Sequence, residues 1–201
     1  MYAIFIRHGE STGNAGIPHN DLALLELTET GQRQAEEVAA GWFHAPDLIV
    51  TSPYLRTKQT ARPTLARFPS VPVEVWPIQE FTYLEPSRWN GTLSRDRKPY
   101  IDAYWTTADP AYCDGPGAES FSTLLDRARL ALRQLESQPK SNRIFVFSHG
   151  QFIHAVRMMI LYPDSTDAER MRLFWRKDGL PSVQNCELIE AEWSDNIWTL
   201  R

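Results

Sequence analysis

Residues 2–11 read YAIFIRHGES, an apolar run followed at once by arginine, histidine and glycine. The apolar part, residues 2–6, has the length and the β-branched and aromatic content of a buried strand. Arg7 and His8 would then lie at the carboxyl end of that strand. Because α/β sheets bind ligands at the carboxyl ends of their strands, these two side chains are the first candidates for a functional site.

A second apolar run ends in a histidine in the same way. Residues 143–150 read RIFVFSHG, in which residues 144–147 predict another strand and His149 follows its tip. His8 and His149 are distant in sequence, but parallel strands carry their carboxyl ends to one edge of a sheet. We expect the two histidines to share a crevice.

Strand-like and amphipathic segments alternate along most of the chain. Further strands are predicted at residues 48–51 and 73–76, and helices at residues 29–43, 53–68, 120–135 and 151–161. Thr28 is a predicted N-cap, and Pro63 should kink or end the second helix. Residues 183–193 and 197–200 resemble a hairpin. This order predicts an α/β fold with three layers, α/β/α, whose mostly parallel sheet has one antiparallel edge.

The length of 201 residues predicts one domain, residues 1–201, because a typical domain has roughly 100–200 residues. Residues 80–117 break the alternation, are rich in proline, tryptophan and tyrosine, and contain one possible short helix at residues 96–104. We interpret residues 80–117 as an insertion that forms a lid over the functional edge of the sheet. Its aromatic residues are candidates for contact with the organic part of a substrate: Trp89, Tyr100, Tyr104 and Trp105.

Composition excludes several classes of partner. The formal charge is −4 and no basic run occurs, which argues against nucleic acid and anionic membranes as partners. No apolar run approaches the roughly 18 residues of a membrane span. The two cysteines, Cys113 and Cys186, form neither a CxxC motif nor a zinc spacing, so we expect reduced thiols and a cytoplasmic location. The oligomeric state stays open.

The residue types around the first strand tip suit an anion. A fixed positive charge at Arg7 favours the neutral, nucleophilic form of His8 near neutral pH, and an arginine fork matches phosphate oxygens. Gly9 would let the backbone approach an anion, and Asn14 would add a neutral donor. The alternative interpretation of the triplet alone is a surface histidine that follows a strand.

A further cation follows the second predicted strand. Residues 51–61 read TSPYLRTKQTA and place Arg56 in the first turn of a helix, where a bound anion is favoured. Arg7, Arg56 and the two histidines would then come from three neighbouring strand ends. Donors in that arrangement stabilise the charge that spreads over phosphoryl oxygens in a transition state.

Four motifs in order, RHGES (7–11), SPYLRTKQTA (52–61), an acidic residue within 79–81 and FSHGQ (147–151), resemble the histidine phosphatase superfamily. The resemblance is to its phosphoglycerate mutase-like branch, of the broad-specificity phosphatase type, and it runs from Met1 to the terminal hairpin. It implies a metal-independent phosphatase that hydrolyses phosphate monoesters through a phosphohistidine intermediate on His8. It also implies a small phosphorylated substrate and neither a metal nor another cofactor.

The same resemblance assigns roles to the other residues. Arg7, Arg56 and His149 would hold the phosphoryl group, Asn14 would be a neutral contact, and Glu80 would protonate the leaving oxygen. In many relatives a Gly-x-Trp-Glu-Gly pattern closely follows the acid, whereas here Trp89 and Gly91 look like displaced remnants, with Asn90 in the acidic position. Glu85 is therefore a rival for the acid.

Two other functions remain open from the sequence. A mutase-type phosphotransferase would share the catalytic set, although this chain is shorter than such mutases and its lid sequence differs. A phospholigand-binding or regulatory module would keep the site with little turnover. The natural substrate cannot be read from these residues, because the catalytic set contacts only the phosphoryl group.

Overall fold

The computed structural model describes residues 1–17, 21–89, 91–92, 94–176 and 179–201. Asn90 lies outside these residues. The described strands form one six-stranded sheet in the order β3-β2-β4-β1-β5-β6. They are β1 (Tyr2–Arg7), β2 (Leu48–Thr51), β3 (Val73–Val75), β4 (Arg143–Ser148), β5 (Leu188–Ser194) and β6 (Ile197–Leu200). The first four strands run parallel, whereas β5 and β6 pair antiparallel, so the predicted sheet is confirmed.

Seven helices occur in the described part of the chain. They are α1 (Glu29–Ala40), α2 (Leu55–Arg67), α3 (Pro86–Trp89), α4 (Ser94–Thr107), α5 (Phe121–Glu136), α6 (Gly150–Leu161) and α7 (Asp167–Phe174). The N-cap predicted at Thr28 is confirmed, because its side chain accepts a hydrogen bond from the Gly31 amide. Ser120 caps α5 in the same way.

The central strands are buried on both faces, which explains their continuous apolar runs. Side chains alternate along β1, so that Ala3 and Phe5 enter the core on one face and Ile4 and Ile6 enter the core on the other. The first core contains the apolar stripes of α5 and α6, and the second contains Ala61 of α2. The predicted three-layer α/β/α arrangement is therefore confirmed.

Several predicted boundaries were wrong. The first helix ends at Ala40 and not at residue 43, because the chain leaves the helix at Gly41. The second helix begins at Leu55 and not at residue 53, and it does not end at Pro63 but continues to Arg67, with Thr60 and Thr64 buried on its inner face. The third strand is a short exposed edge that stops at Val75.

The remaining differences lie near the lid and the carboxyl terminus. The short helix predicted at residues 96–104 extends over Ser94–Thr107, and the first hairpin strand begins at Leu188 and not at residue 183. Helix α7 was not predicted, although Thr166 and Glu169 form a capping box that is visible in the sequence. No described helix is long and apolar enough to cross a membrane.

Candidate active site

The strand order brings the predicted residues together. Strand β4 lies between β1 and β2, so the carboxyl ends of these three parallel strands are neighbours. The hydrogen-bond ladder between β1 and β4 continues beyond the end of β1, because the His8 amide donates to the Ser148 carbonyl at 3.0 Å. The rings of His8 and His149 consequently lie edge to face with their centroids 5.1 Å apart.

Hydrogen bonds define the tautomer of His8. Its Nδ1 lies 2.7 Å from the carbonyl oxygen of Gly9, which can only accept, so Nδ1 carries the proton. Nε2 accepts a hydrogen bond from Nε of Arg56 at 3.1 Å. Nε2 therefore carries a lone pair and not a proton, which is the state a nucleophilic histidine requires once the bond from Arg56 is displaced.

The surroundings of His8 keep its ring neutral. The side chain is 2% exposed, and burial together with the charges of Arg56 and Arg7 lowers its pKa to about 3, against the opposing effect of the Gly9 carbonyl. A charged imidazolium cannot be solvated here and would face two guanidinium groups. His8 is consequently deprotonated at neutral pH.

Two arginines lie close to His8 and act on its charge. Arg7 donates through Nη1 to the carbonyl of Val183 at 2.6 Å, whereas its buried Nε has no hydrogen-bond partner among the described residues. Arg56 donates through Nη1 to the carbonyl of Leu22 at 2.6 Å and lies over the Tyr54 ring. Burial lowers the pKa of both arginines and Glu80 opposes that shift. Each guanidinium is thus held by a backbone carbonyl.

His149 is completely buried at the tip of β4. Its Nε2 lies 2.7 Å from Oγ of Ser52, which accepts a hydrogen bond from the Tyr54 amide. Its Nδ1 is buried and has no partner in the described part of the chain. Burial first, and then the charge of Arg56, lowers the pKa of His149 well below its usual value, so the ring is neutral.

The structure places the two candidate acids in different surroundings. Oε1 of Glu80 accepts from the amides of Phe81 and Gln151, each at 3.1 Å, and the second of these amides belongs to the first turn of α6. Glu80 lines a cleft with Arg7. Glu85 instead pairs with Arg88 at 3.2 Å and accepts from Ser87, away from that cleft. We therefore retain Glu80 as the candidate acid.

The structure adds packing and hydrogen-bond partners to the predicted roles of Gly9 and Asn14. The Gly9 amide donates to Thr60 Oγ1 at 3.1 Å, and a Cβ at Gly9 would lie 2.5 Å from the Gly31 carbonyl oxygen. Close packing against α1 is thus one reason for glycine at this position. Oδ1 of Asn14 accepts from the Ser11 amide and hydroxyl, which leaves its amide nitrogen as the donor for a ligand.

Sequence reasoning missed Asn185. Its Nδ2 donates to the carbonyl of His8 at 2.8 Å and to Oδ1 of Asn14 at 3.3 Å. The Asn185 side chain thus links the backbone of His8, the candidate nucleophile, to the side chain of Asn14, the candidate neutral donor. The sequence signal that could have indicated this role is the polar Asn185 itself, which falls within residues 183–193, a segment predicted to form a strand.

The cleft beside the catalytic groups has a volume of about 810 Å³. Its walls include Lys98 and Asp102 of α4, which form an ion pair at 2.5 Å, and His154 of α6. The end of helix α7 and the segment after it also line the cleft, including Trp175, which sequence analysis did not place near the site. The predicted lid segment therefore contributes one wall, and the other comes from the carboxyl-terminal part of the chain.

The predicted aromatic contacts with a substrate need correction. Tyr104 and Trp105 are 5% and 6% exposed and belong to the apolar core, where Tyr104 packs against Phe81 and Trp105 packs against Phe121. Trp89 and Tyr100 pack on each other, with centroids 4.6 Å apart, outside that core. Within the described ranges, no group of three or more His, Cys, Asp or Glu side chains is placed to hold a metal ion.

The fold and the site together define a class of protein. A parallel α/β sheet presents a neutral, buried histidine between two arginines, which is an arrangement for phosphoryl transfer. The chain belongs to branch 1 of the histidine phosphatase superfamily, whose sequence profile matches residues 3–201. The predicted family, a group of enzymes that act on phosphate esters, is thereby confirmed.

Individual relatives carry different names. The "Metal-independent phosphoserine phosphatase" of Arabidopsis thaliana is 29% identical over 198 residues, covering 96% of this chain and 80% of the relative. The "Probable phosphoglycerate mutase GpmB" of Yersinia enterocolitica is 26% identical over 219 residues, covering 98% and 87%. A solved phosphoserine phosphatase from Entamoeba histolytica, in complex with 3-phosphoglyceric acid, has the same fold, with a TM-score of 0.76, 21% identity and coverage of 99% and 94%.

Proposed function

We propose that this protein hydrolyses phosphate monoesters through a phosphohistidine formed on Nε2 of His8. The observation that best supports this proposal is the hydrogen-bonding state of three buried nitrogen atoms. Nε2 of His8 bears a lone pair, whereas Nε of Arg7 and Nδ1 of His149 have no partners among the described residues. Buried donors without partners are costly, so a bound anion would satisfy them.

In the first step the Nε2 lone pair of His8 attacks phosphorus and the bond from phosphorus to the ester oxygen breaks. Glu80 donates its proton to the departing oxygen through Oε2, since Oε1 is occupied by two backbone amides. The imidazole ring gains positive charge, which the Gly9 carbonyl stabilises through Nδ1. An alcohol leaves and phosphohistidine remains.

In the second step a water molecule attacks the phosphohistidine, and the Glu80 carboxylate accepts a proton from that water. The bond between phosphorus and Nε2 breaks, which returns a neutral His8 and releases inorganic phosphate. Arg7 and Arg56 bind the equatorial oxygens throughout, and His149 donates from Nδ1 when Ser52 donates to its Nε2. Asn14 supplies a neutral contact.

The test uses p-nitrophenyl phosphate and a panel of sugar and glycolytic phosphates, all with EDTA present. We expect turnover by the wild type that the chelator does not reduce, and none by His8→Ala. His44→Ala is the matched control, because His44 is exposed and belongs to none of the motifs. A substrate labelled with ³²P, quenched in alkali, should leave label on the wild type but not on His8→Ala.

The same panel separates the alternatives. A mutase, the name carried by one relative, would return the label to a phosphorylated acceptor such as 3-phosphoglycerate faster than to water. A binding module would retain phosphorylated ligands without turnover. A cytoplasmic location and a small phosphorylated substrate remain part of this proposal, supported by composition and by the size of the cleft.

A further inference from the structure

Residues 77–82, here called the acid segment, carry Glu80 but form no helix or strand. The backbone groups of such a segment cannot pair within a helix or a sheet, so they need partners from other parts of the chain or from water. The carbonyls of Pro77 and Gln79 accept hydrogen bonds from Nη1 of Arg127 at 2.8 and 3.1 Å. The carbonyl of Ile78 accepts from Oγ of Ser148 at 2.7 Å. Three consecutive carbonyls before Glu80 are thus held by side chains of α5 and β4.

The residue on the other flank of Glu80 is held by Glu119. The Thr82 amide donates to Oε1 of Glu119 at 3.4 Å, and the Glu119 amide donates to the Thr82 carbonyl at 2.9 Å. This reciprocal pair of bonds fastens the end of the acid segment to the residues that precede α5.

Arg127 and Glu119 also bind each other through two parallel hydrogen bonds, at 2.5 and 3.0 Å. The side chains are only 12% and 16% exposed, and the guanidinium lies over the Phe152 ring. All of the guanidinium nitrogens are therefore used, and only the planar fork of an arginine can serve the carboxylate and two carbonyls together.

From these contacts we propose that the Glu119–Arg127 ion pair is a positioning element for catalysis, which clamps both flanks of the acid segment and thereby aligns the carboxylate of Glu80. This inference rests on the proposed role of Glu80 as general acid. Neither member of the pair lines the cleft beside Arg7, so both act through Glu80 and not on the substrate.

If the pair only stabilised the fold, its loss would lower the stability of the protein but would affect all substrates equally. Loss of alignment at the acid has a different signature, because an alkoxide leaving group needs protonation and p-nitrophenolate needs little. The informative quantity is the ratio of kcat/KM for p-nitrophenyl phosphate to kcat/KM for an alkyl phosphate that the wild type hydrolyses.

The test compares Arg127→Lys with Arg129→Lys in the full chain. Arg129 lies on the same helix and also forms ion pairs, but its partners are Asp126 and Asp167, so it fastens α5 to α7 and not to the acid segment. We expect Arg127→Lys to raise the substrate ratio about tenfold or more, because small misplacements of a catalytic group are costly. Arg129→Lys should leave the ratio unchanged.

Glu119→Gln provides a second variant if Arg127→Lys does not fold, with the same expected direction. Glu80→Gln is the reference. An unchanged ratio in both pair variants, together with a raised ratio in Glu80→Gln, overturns the positioning role while leaving the acid assignment intact. An unchanged ratio in Glu80→Gln overturns the acid assignment and the positioning role with it. Combining Arg127→Lys with Glu80→Gln should add little to the effect of Glu80→Gln alone.

Discussion

Nε of Arg56 donates a hydrogen bond to Nε2 of His8 over 3.1 Å, so the cation contacts the very atom that would attack phosphorus. A phosphoryl group that approaches this nitrogen has to replace the bond. Its oxygens then offer the guanidinium a better, charged partner than a neutral imidazole. In the proposed mechanism the arginine thus disfavours a proton on Nε2 before binding and would hold an oxygen of the substrate afterwards.

The hydrogen bonds predict one tautomer of His8 at neutral pH without phosphate. Protein labelled with ¹⁵N on histidine should show Nδ1 protonated and Nε2 with the shift of an unprotonated nitrogen, since the Gly9 carbonyl can only accept. Assignment by comparison with His8→Asn identifies the signals. A proton on Nε2 would contradict the geometry and the attack proposed from it.

The buried His8 should make stability depend on pH. Its pKa is about 3 in the folded protein and about 6.5 when unfolded, so the unfolded chain binds more protons between these values. Its stabilising contribution is present above pH 6.5 and is lost as the pH falls towards 3. Between pH 7 and pH 5 the loss from His8 alone is about 2 kcal/mol.

Urea unfolding at pH 7 and pH 5, in buffers without phosphate, measures this loss. In His8→Asn the loss of unfolding free energy between pH 7 and pH 5 should be smaller by about 2 kcal/mol, because the variant lacks this titrating group. His44→Asn, at an exposed histidine, should retain the dependence of the wild type. Equal pH dependence in the wild type and His8→Asn would refute the depressed pKa.

Glu80→Gln should slow substrates with poor leaving groups far more than p-nitrophenyl phosphate. Glutamine retains the oxygen that accepts from the Phe81 and Gln151 amides but cannot deliver a proton. We expect losses of about 10²-fold or more on alkyl phosphates. Glu85→Gln is the control, and a leaving-group effect there would transfer the acid role to Glu85.

Asn185→Ala should lower kcat/KM about tenfold, since it removes the donor to the His8 carbonyl and to Oδ1 of Asn14. Asn14→Ala should produce part of the same loss. If Asn185 acts through the orientation of Asn14, the double variant loses less than the sum of the two single losses in free energy. Strictly additive losses in free energy would show that Asn185 and Asn14 act independently.

Gly9→Ala should destabilise the protein by about 1–3 kcal/mol, because its Cβ would lie 2.5 Å from the Gly31 carbonyl oxygen, which is backbone and cannot rotate away. Gly41→Ala is the matched control. A Cβ there would meet its nearest atom at an ordinary 3.5 Å, with a helical φ of −73°. Thermal unfolding of the wild type and the two variants measures the difference. An unchanged Tm in Gly9→Ala would refute the close approach between Gly9 and Gly31.

Pattern alone predicted the central strands because they are buried on both faces and therefore apolar throughout. It failed where tertiary contacts override local preference. Helix α2 passes Pro63 because its inner face is buried, and α4 contributes Tyr104 and Trp105 to the core although its sequence has little periodicity. The cleft wall that includes Trp175 could not be predicted, since nothing local links it to a strand tip.

The sequence by itself determined which chemical groups meet, because Arg7 ends one strand, and His8 and His149 directly follow strands that lie parallel with their tips side by side. Only the tertiary structure decided how those groups are used. The tautomer of His8, the neutral state of both histidines and the clamp on Glu80 depend on burial and on hydrogen-bond partners from distant segments. Electrostatic energies and hydrogen bonds are set by distances in space, and a linear order of residues does not contain those distances.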